Sequence, residues 1–335
     1  YFIILIFNFD YKTVTKKREK TGVFCLAPSN DFASDFVAGL LQRSPDVLNS
    51  RPELLGQIRI LTSNKRSAQR LEEAFHEVGY TILPKITPLQ DLTDFFYTAN
   101  FQEYCDVLKK VKLPVVSKIE KYLIVESLLR RDLKNSISEM TPSSTFDLAR
   151  SIGNLIDEIN MKNLNPVDLE KASDDELSKH WQLSIALLKN TLLGYSDAIE
   201  KAGRIDVQTK YNLEVQVLCE AWLSQPYKSP LIIMGSTGSQ YATSRLMLAV
   251  SNLPQGVVIL PGLDKQIPGS FWEHLGPDHP QYSYYSLAKF WQKNSREKNE
   301  IIRAPEWNSE KAREGNKTIM LRSRVISEIM LPFQF

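Results

Sequence analysis

Along this chain the spacing of apolar positions changes twice, which divides it into three stretches. In the first, Gly22-Val-Phe-Cys-Leu-Ala27 is a short apolar run closed by Pro28, the pattern of a buried strand. Phe32, Phe36, Val37, Leu40 and Leu41 then recur at helical spacing. They predict a helix from about Asp31 to Gln42, with Asn30 or Asp31 placed to cap it. Ile58-Arg-Ile-Leu-Thr62 predicts a second strand, and Ala68, Leu71, Ala74, Phe75 and Val78 predict a helix from about Lys65 to Val78. Strands alternating with helices imply parallel pairing and an α/β domain.

The second stretch, about Leu113 to Gln225, carries almost nothing but amphipathic helical patterns. They fall near 115–135, 145–161, 166–171, 174–202 and 206–224, punctuated by Thr141-Pro142, Asn165-Pro166 and Gly203. No period of 20–50 residues repeats, which excludes a solenoid. Beyond Pro230 the α/β pattern returns. Leu231-Ile-Ile-Met234 reads as a buried strand, Gly235–Ser239 as a turn, Gln240 to Asn252 as a helix, and Gly256–Leu260 as another strand. An aromatic-rich helical segment follows, with Phe271, Trp272, Tyr282, Tyr284, Tyr285, Phe290 and Trp291, and a last helix is predicted from Lys317 to Met330. The predicted architecture is a parallel α/β sheet domain (22–112 and 228–335) interrupted by an all-helical insertion (113–227), with residues 1–20 an extension outside the fold.

Composition narrows the function classes. The 335 residues suit two domains, and 43% hydrophobic with 24% charged residues is ordinary for a globular chain. A net charge of +2 makes no demand for nucleic acid, a membrane or an acidic substrate. Residues 289–324, with ten Lys/Arg against five Glu, form a locally basic tail. Three scattered cysteines are too few for a disulfide framework or a four-cysteine metal site, so a reduced, cytoplasmic setting is expected. The apolar run Tyr1–Phe9 is far short of the roughly 20 residues that span a bilayer, and its basic residues follow it instead of preceding it.

The loop after the first strand, Ala27-Pro-Ser-Asn-Asp-Phe-Ala-Ser34, holds neither the glycines nor the lysine of a phosphate-binding loop. No Gly-Lys dipeptide occurs anywhere in the chain. A better anion corner is Thr62-Ser63-Asn64-Lys65-Arg66, where hydroxyls, an amide and two cations meet at a strand end and a helix start. The competing reading makes these residues a cap with solvated cations. Gly235-Ser236-Thr237-Gly238-Ser239 is a second strand–loop–helix corner that suits either a phosphate or a tight turn. This strand lacks the paired acids that hold magnesium in an ATPase. Asp157-Glu158 imitates such a pair but falls inside a helical pattern and reads as solvated surface. His274, Asp278 and His279 read as loop structure, and no metal site is expected. No Glu-x-Lys nuclease element and no G-x-S-x-G elbow occurs, so no catalytic residues are assigned.

Five segments together resemble the AddB family, the B subunit of the bacterial AddAB helicase–nuclease that processes double-strand DNA breaks, in its alphaproteobacterial form. They are Ile58–Leu71 (IRILTSNKRSAQRL), Asp175–Trp181 (DELSKHW), Ile233–Leu246 (IMGSTGSQYATSRL), Leu253–Asp264 (LPQGVVILPGLD) and Trp272–Tyr282 (WEHLGPDHPQY). The resemblance runs from about Gly22 to Met330. It implies an inactivated superfamily 1 helicase-like body, with the α/β part as subdomain 1A and the helical part as its inserted 1B. It further implies the front of a longer protein whose C-terminal nuclease domain is absent here, an AddA-type partner, contact with DNA, and no cofactor in this part. Thr62–Ala68 then matches helicase motif Ia, which contacts single-strand phosphates. The alternative from the residues alone is a Rossmann-like binder or enzyme for a phosphorylated ligand at Gly235–Ser239, and a third reading is a protein-interaction module using the helical insertion.

Overall fold

The computed structural model describes residues 22–27, 31–43, 51–97, 104–132, 141–165, 179–294 and 299–308. The chain is a mixed α/β protein whose contacts separate it into a sheet unit and a helical unit. The extension at 1–20, the helices at 166–171 and 317–330, and most of the basic tail lie outside the described residues.

In the sheet unit, β1 (Val23–Leu26), β2 (Arg59–Thr62), β3 (Lys85–Pro88), β4 (Leu231–Met234) and β5 (Gly256–Pro261) form one sheet in the order β1-β5-β4-β2-β3, parallel throughout. β1 and β4 are buried at every position, as strands covered on both faces must be. β3 is the strand the sequence pattern does not reveal. It is a half-exposed edge strand of four residues ending in proline, with no run of apolar residues to mark it.

After β1 comes α1 (Phe32–Arg43), and after β2 comes α2 (Lys65–Glu77). Both helices pack on one face, where Phe36, Val37, Leu40, Leu71 and Phe75 meet Phe24, Ile60, Ile232, Met234 and Ile259. Those connections run from β1 toward the β3 edge. The connection from β4 to β5 through α8 (Tyr241–Asn252) runs back the other way. Right-handed crossovers therefore put α8 on the opposite face. The chain reverses direction between β2 and β4, and the crevice at their carboxyl ends is where open α/β sheets bind ligands.

The far edge of β1 is closed by a short segment from the other end of the described chain. Cys25 donates its N–H to the Pro305 carbonyl (2.8 Å), and Trp307 N–H donates to the Cys25 carbonyl (2.8 Å). The Trp307 indole stacks on Phe36 at 5.8 Å and donates to the Phe36 carbonyl at 3.0 Å. Gly39 is the only residue type that fits beneath it, since a Cβ there would lie 2.4 Å from the indole ring. The Arg43 guanidinium caps the assembly, 4.4 Å from the Trp307 ring and 4.5 Å from that of Phe24.

The helical unit comprises Phe95–Leu218 with Gln240–Ala242. Its helices are α3 (Cys105–Val111), α4 (Lys118–Asp132), α5 (Pro142–Lys162), α6 (Lys179–Lys201) and α7 (Val207–Ser224), the last running past the unit's end. The sequence pattern places the boundaries at 113 and 227. They differ because α3 is too short to show a period, and because Cys219 and Glu220 of α7 contact Arg245 in the sheet unit. Its core is formed by Val125, Leu128 and Leu129 of α4, Ile152, Ile156 and Ile159 of α5, and Leu192, Tyr195 and Ile199 of α6. Two helix starts follow sequence rules. Ser117 and Glu120 form a reciprocal capping box on α4, and Thr141 caps α5 ahead of Pro142.

Inside this unit Lys121 of α4 is 3% exposed and pairs with Asp157 of α5 and with Asp206 (2.7 Å). Tyr195 of α6 donates its hydroxyl to the same Asp206 (3.0 Å), whose other oxygen accepts the Gln208 N–H at the start of α7. Asp157 is therefore no solvated surface acid as its pattern suggested, while its neighbour Glu158 is exposed. Burial works against the Lys121 charge, but its hydrogen bonds to Asp157 and Asp206 prevail and hold the ammonium above the ordinary lysine pKa. The Tyr195 hydroxyl is driven up by burial, then by the Asp206 charge.

Candidate functional site

The carboxyl ends of β2 and β4 bring together the two corners that the sequence offers separately. Thr62 pairs with Met234 in the ladder, so Ser63 and Gly235 leave the sheet side by side. Gly235 has φ +76°, and a Cβ on it would lie 3.6 Å from Ser63 Oγ and 3.9 Å from the Phe32 ring of α1.

On the β2 side, the polar groups divide into those already used and those free. Thr62 is fully buried and donates its hydroxyl to the Asn64 carbonyl (3.1 Å). Its hydroxyl is thus already engaged within the loop. Asn64 is the cap of α2, its side chain accepting the Ser67 N–H at 2.9 Å. Ser63 Oγ is shared between Ser67 Oγ (3.3 Å) and the Asn64 amide (3.2 Å), and the Ser63 carbonyl accepts from Gln90 Nε2 (3.3 Å). Lys65 and Arg66 are exposed, and neither forms an ion pair among the described residues. They stand in the first turn of α2, where unsatisfied N–H groups and the helix dipole favour an anion.

On the β4 side, the loop is folded onto its own unit. Gly238 has φ +67°, its N–H donates to Ser236 Oγ (3.2 Å), and its carbonyl accepts from Ser244. A Cβ at Gly238 would lie 2.8 Å from Leu287 Cδ1. Its glycines thus serve a tight turn against α9 (Tyr282–Lys293) and leave Ser236 with its hydroxyl already bonded. Thr237 is half-buried and Ser239 exposed.

The start of α1 stands at the same edge with the opposite character. Asp31 accepts the Ala33 and Ser34 N–H groups (3.2 and 3.4 Å) and the Ser34 hydroxyl (2.6 Å), and it is ion-paired with Arg70 of α2. Burial tends to raise the Asp31 pKa, but the Arg70 and Ser34 hydrogen bonds outweigh it and hold the carboxylate below its usual range. Arg70 also pairs with Glu77 at 2.8 Å, and Glu77 followed by Asp31 raises its pKa further. Asp31 is the cap that the sequence offered alongside Asn30. Gln90, Ser67 and Arg70 complete this edge. Sequence reasoning missed Gln90 with β3, which carries it into place.

The aromatic residues after β5 are core: Trp272, Tyr284 and Trp291 are 1%, 2% and 0% exposed. His274 Nδ1 lies 3.0 Å from the Ser270 carbonyl and His279 Nδ1 accepts the Gln281 N–H, so each serves its local turn. Among the described residues no group of three or more His, Cys, Asp or Glu is placed to hold a metal ion, and no helix is long and apolar enough to cross a membrane. Compared with protein-family models and with curated proteins, the chain matches none.

Proposed function

We propose that this chain is the helicase-like, ATPase-inactive front of an AddB-type subunit for double-strand break repair, contacting DNA and binding an AddA-type partner. Single-stranded phosphates run along the β2 end of the sheet, held by Lys65 and Arg66. The observation that carries the reading is the contrast between two helix starts on one sheet edge. At α1 a carboxylate already fills the place of an anion and is neutralised by Arg70. An incoming nucleotide phosphate would meet Asp31 there, a like charge at short range. At α2 the cap is a neutral amide, and the two cations beside it are unpaired among the described residues. Phosphate contacts of this kind position a strand without reading its bases.

The test is anisotropy with a labelled single-stranded oligonucleotide across a salt series. Each phosphate contact contributes about −0.7 to the slope of log K against log salt. Lys65→Ala/Arg66→Ala should therefore flatten the slope by roughly 1–2 and weaken all sequences alike. Identical affinity and slope in the double variant would remove this corner from the DNA path. Saturable ATP binding by calorimetry would overturn the inactive nucleotide corner. The reading as a binder of a phosphorylated small ligand at Gly235–Ser239 is disfavoured, because the Gly238 N–H is spent on Ser236.

A further inference from the structure

The helical unit leaves a row of aliphatic side chains in water. Val115, Ile119 and Leu123 follow at intervals of four residues and are 38%, 68% and 52% exposed. Ile119 and Leu123 lie one turn apart on one face of α4, and Val115 stands just ahead of the capping Ser117. A parallel bridge between Val115 and Ile205 brings the start of α7, with its exposed Val207, to the same end of α4. The packing of the unit does not account for this row, because its core is filled from the other side of α4 by Val125, Leu128 and Leu129.

The charges around the row are unbalanced in one direction. Every carboxylate of α4 already has a cation: Glu120 pairs with Arg204 (3.2 Å), Glu126 with Arg130 (2.7 Å) and Asp132 with Arg131 (2.8 Å). Ahead of the helix, Asp106 pairs with Lys109 and Glu200 with Lys110. Left over are Lys112 and Lys118, both exposed, near Val115 and Ile119 in the chain and without ion pairs among the described residues. The exposed aliphatic residues are therefore accompanied, close to them in the chain, by positive charge without an ion pair among the described residues.

We propose that this row docks an amphipathic helix of a partner protein, one whose apolar stripe is bordered by glutamate or aspartate. The partner's apolar residues meet Val115, Ile119 and Leu123, and its carboxylates meet Lys112 and Lys118. Ile119 and Leu123 are one helical turn apart, about 6 Å, with Val115 just ahead of the helix, a stretch that suits a short docked helix and is narrow for a membrane-surface helix. So small a contact makes a weak complex, with a dissociation constant in the micromolar range. The proposal is independent of DNA contact at α2.

The experiment uses the full chain and a fluorescein-labelled model helix of about four turns, with a leucine stripe bordered by glutamate. A second peptide carries lysine in place of every glutamate. The glutamate helix should bind at least about tenfold more tightly than the lysine helix. Ile119→Ser/Leu123→Ser should weaken it by about tenfold or more, with an unchanged melting temperature because both side chains are exposed. Lys112→Glu/Lys118→Glu should reverse the preference between the two peptides. Binding of neither peptide, equal binding of both, or affinities indifferent to both variants would overturn the proposal. So would a dimer in sedimentation that Ile119→Ser/Leu123→Ser dissolves, which would give the row to a second copy. Capture on phosphatidylserine vesicles, lost in that same variant, would give it to a membrane.

Discussion

The two units bury their polar groups in opposite ways. Among the described residues of the sheet unit the buried polar side chains are hydroxyls, Thr62, Thr243, Ser244 and Ser251, and the core beneath α1 and α2 is built from hydrophobic residues. In the helical unit the buried set includes Lys121, Asp206 and Glu214. In the helical unit the buried charges join its helices, since Lys121 of α4 meets side chains from α5 and from the turn before α7. In the sheet unit the ion pairs among the described residues, such as Arg70 with Asp31 and Glu77, are partly exposed. Buried ion pairs add little net stability against apolar replacements, but they are costly to break singly.

The largest effect should come from breaking the helical cluster. Lys121→Met leaves Asp206 buried without its cation and should destabilise the helical unit by about 3–5 kcal/mol, read as faster hydrogen exchange in α4 to α7. The Lys121 pKa is raised in the folded state, so its contribution is complete below the ordinary lysine value and is lost as pH rises through the folded value. Alkaline unfolding should therefore begin in the helical unit and not in the sheet unit.

Asp31→Ala comes next, at about 1.5 kcal/mol from the lost α1 cap, read by urea unfolding near neutral pH. Here the sign is opposite. The Asp31 pKa is lowered on folding, so its stabilisation is present above the ordinary aspartate value and disappears as pH falls through the folded value. The gap between wild type and variant should close in acid. Asn64→Ala should cost slightly less, about 1 kcal/mol, with no such pH dependence, because an amide does not titrate. Lys65→Ala/Arg66→Ala should leave stability within about 0.5 kcal/mol, in keeping with side chains that no packing or pairing uses. A large loss in that last variant would place those cations in the fold and undo the contrast between the units.

Most of the strands and helices were legible because their apolar spacing is regular. β1, β2, β4 and β5 are short apolar runs between turn residues, and α1 and α2 carry clean stripes. What stayed hidden depends on partners distant in sequence. Pro305–Trp307 has no strand pattern of its own and becomes an edge segment only because Phe36 and Arg43 receive Trp307. Asp157 looks like any surface acid until α4 lays Lys121 beside it. The candidate site was half legible. Lys65, Arg66 and Gly235 stand out from local chemistry, but that their corners adjoin follows from β2 lying next to β4, an order no local pattern encodes. The burial of Thr62 was equally invisible, since a threonine at a strand end looks the same whether it faces water or core.

The position of β1 in the sheet also bears on how the protein is made. Of the five described strands β1 is synthesised first, yet its neighbours are β5 at Gly256–Pro261 on one side and Glu306 on the other. At typical ribosomal speeds of roughly 5–20 residues per second, the nascent strand waits some tens of seconds for its first partner while the entire helical unit emerges. During that wait Val23, Phe24 and Leu26, all buried in the finished sheet, have no neighbour from their own sheet to pair with. A chain released before β5 exits would carry an orphan apolar strand, a target for chaperones and for aggregation. Completion of this sheet thus follows the helical unit, whose contacts lie within one continuous stretch apart from Gln240–Ala242 and which can settle before it.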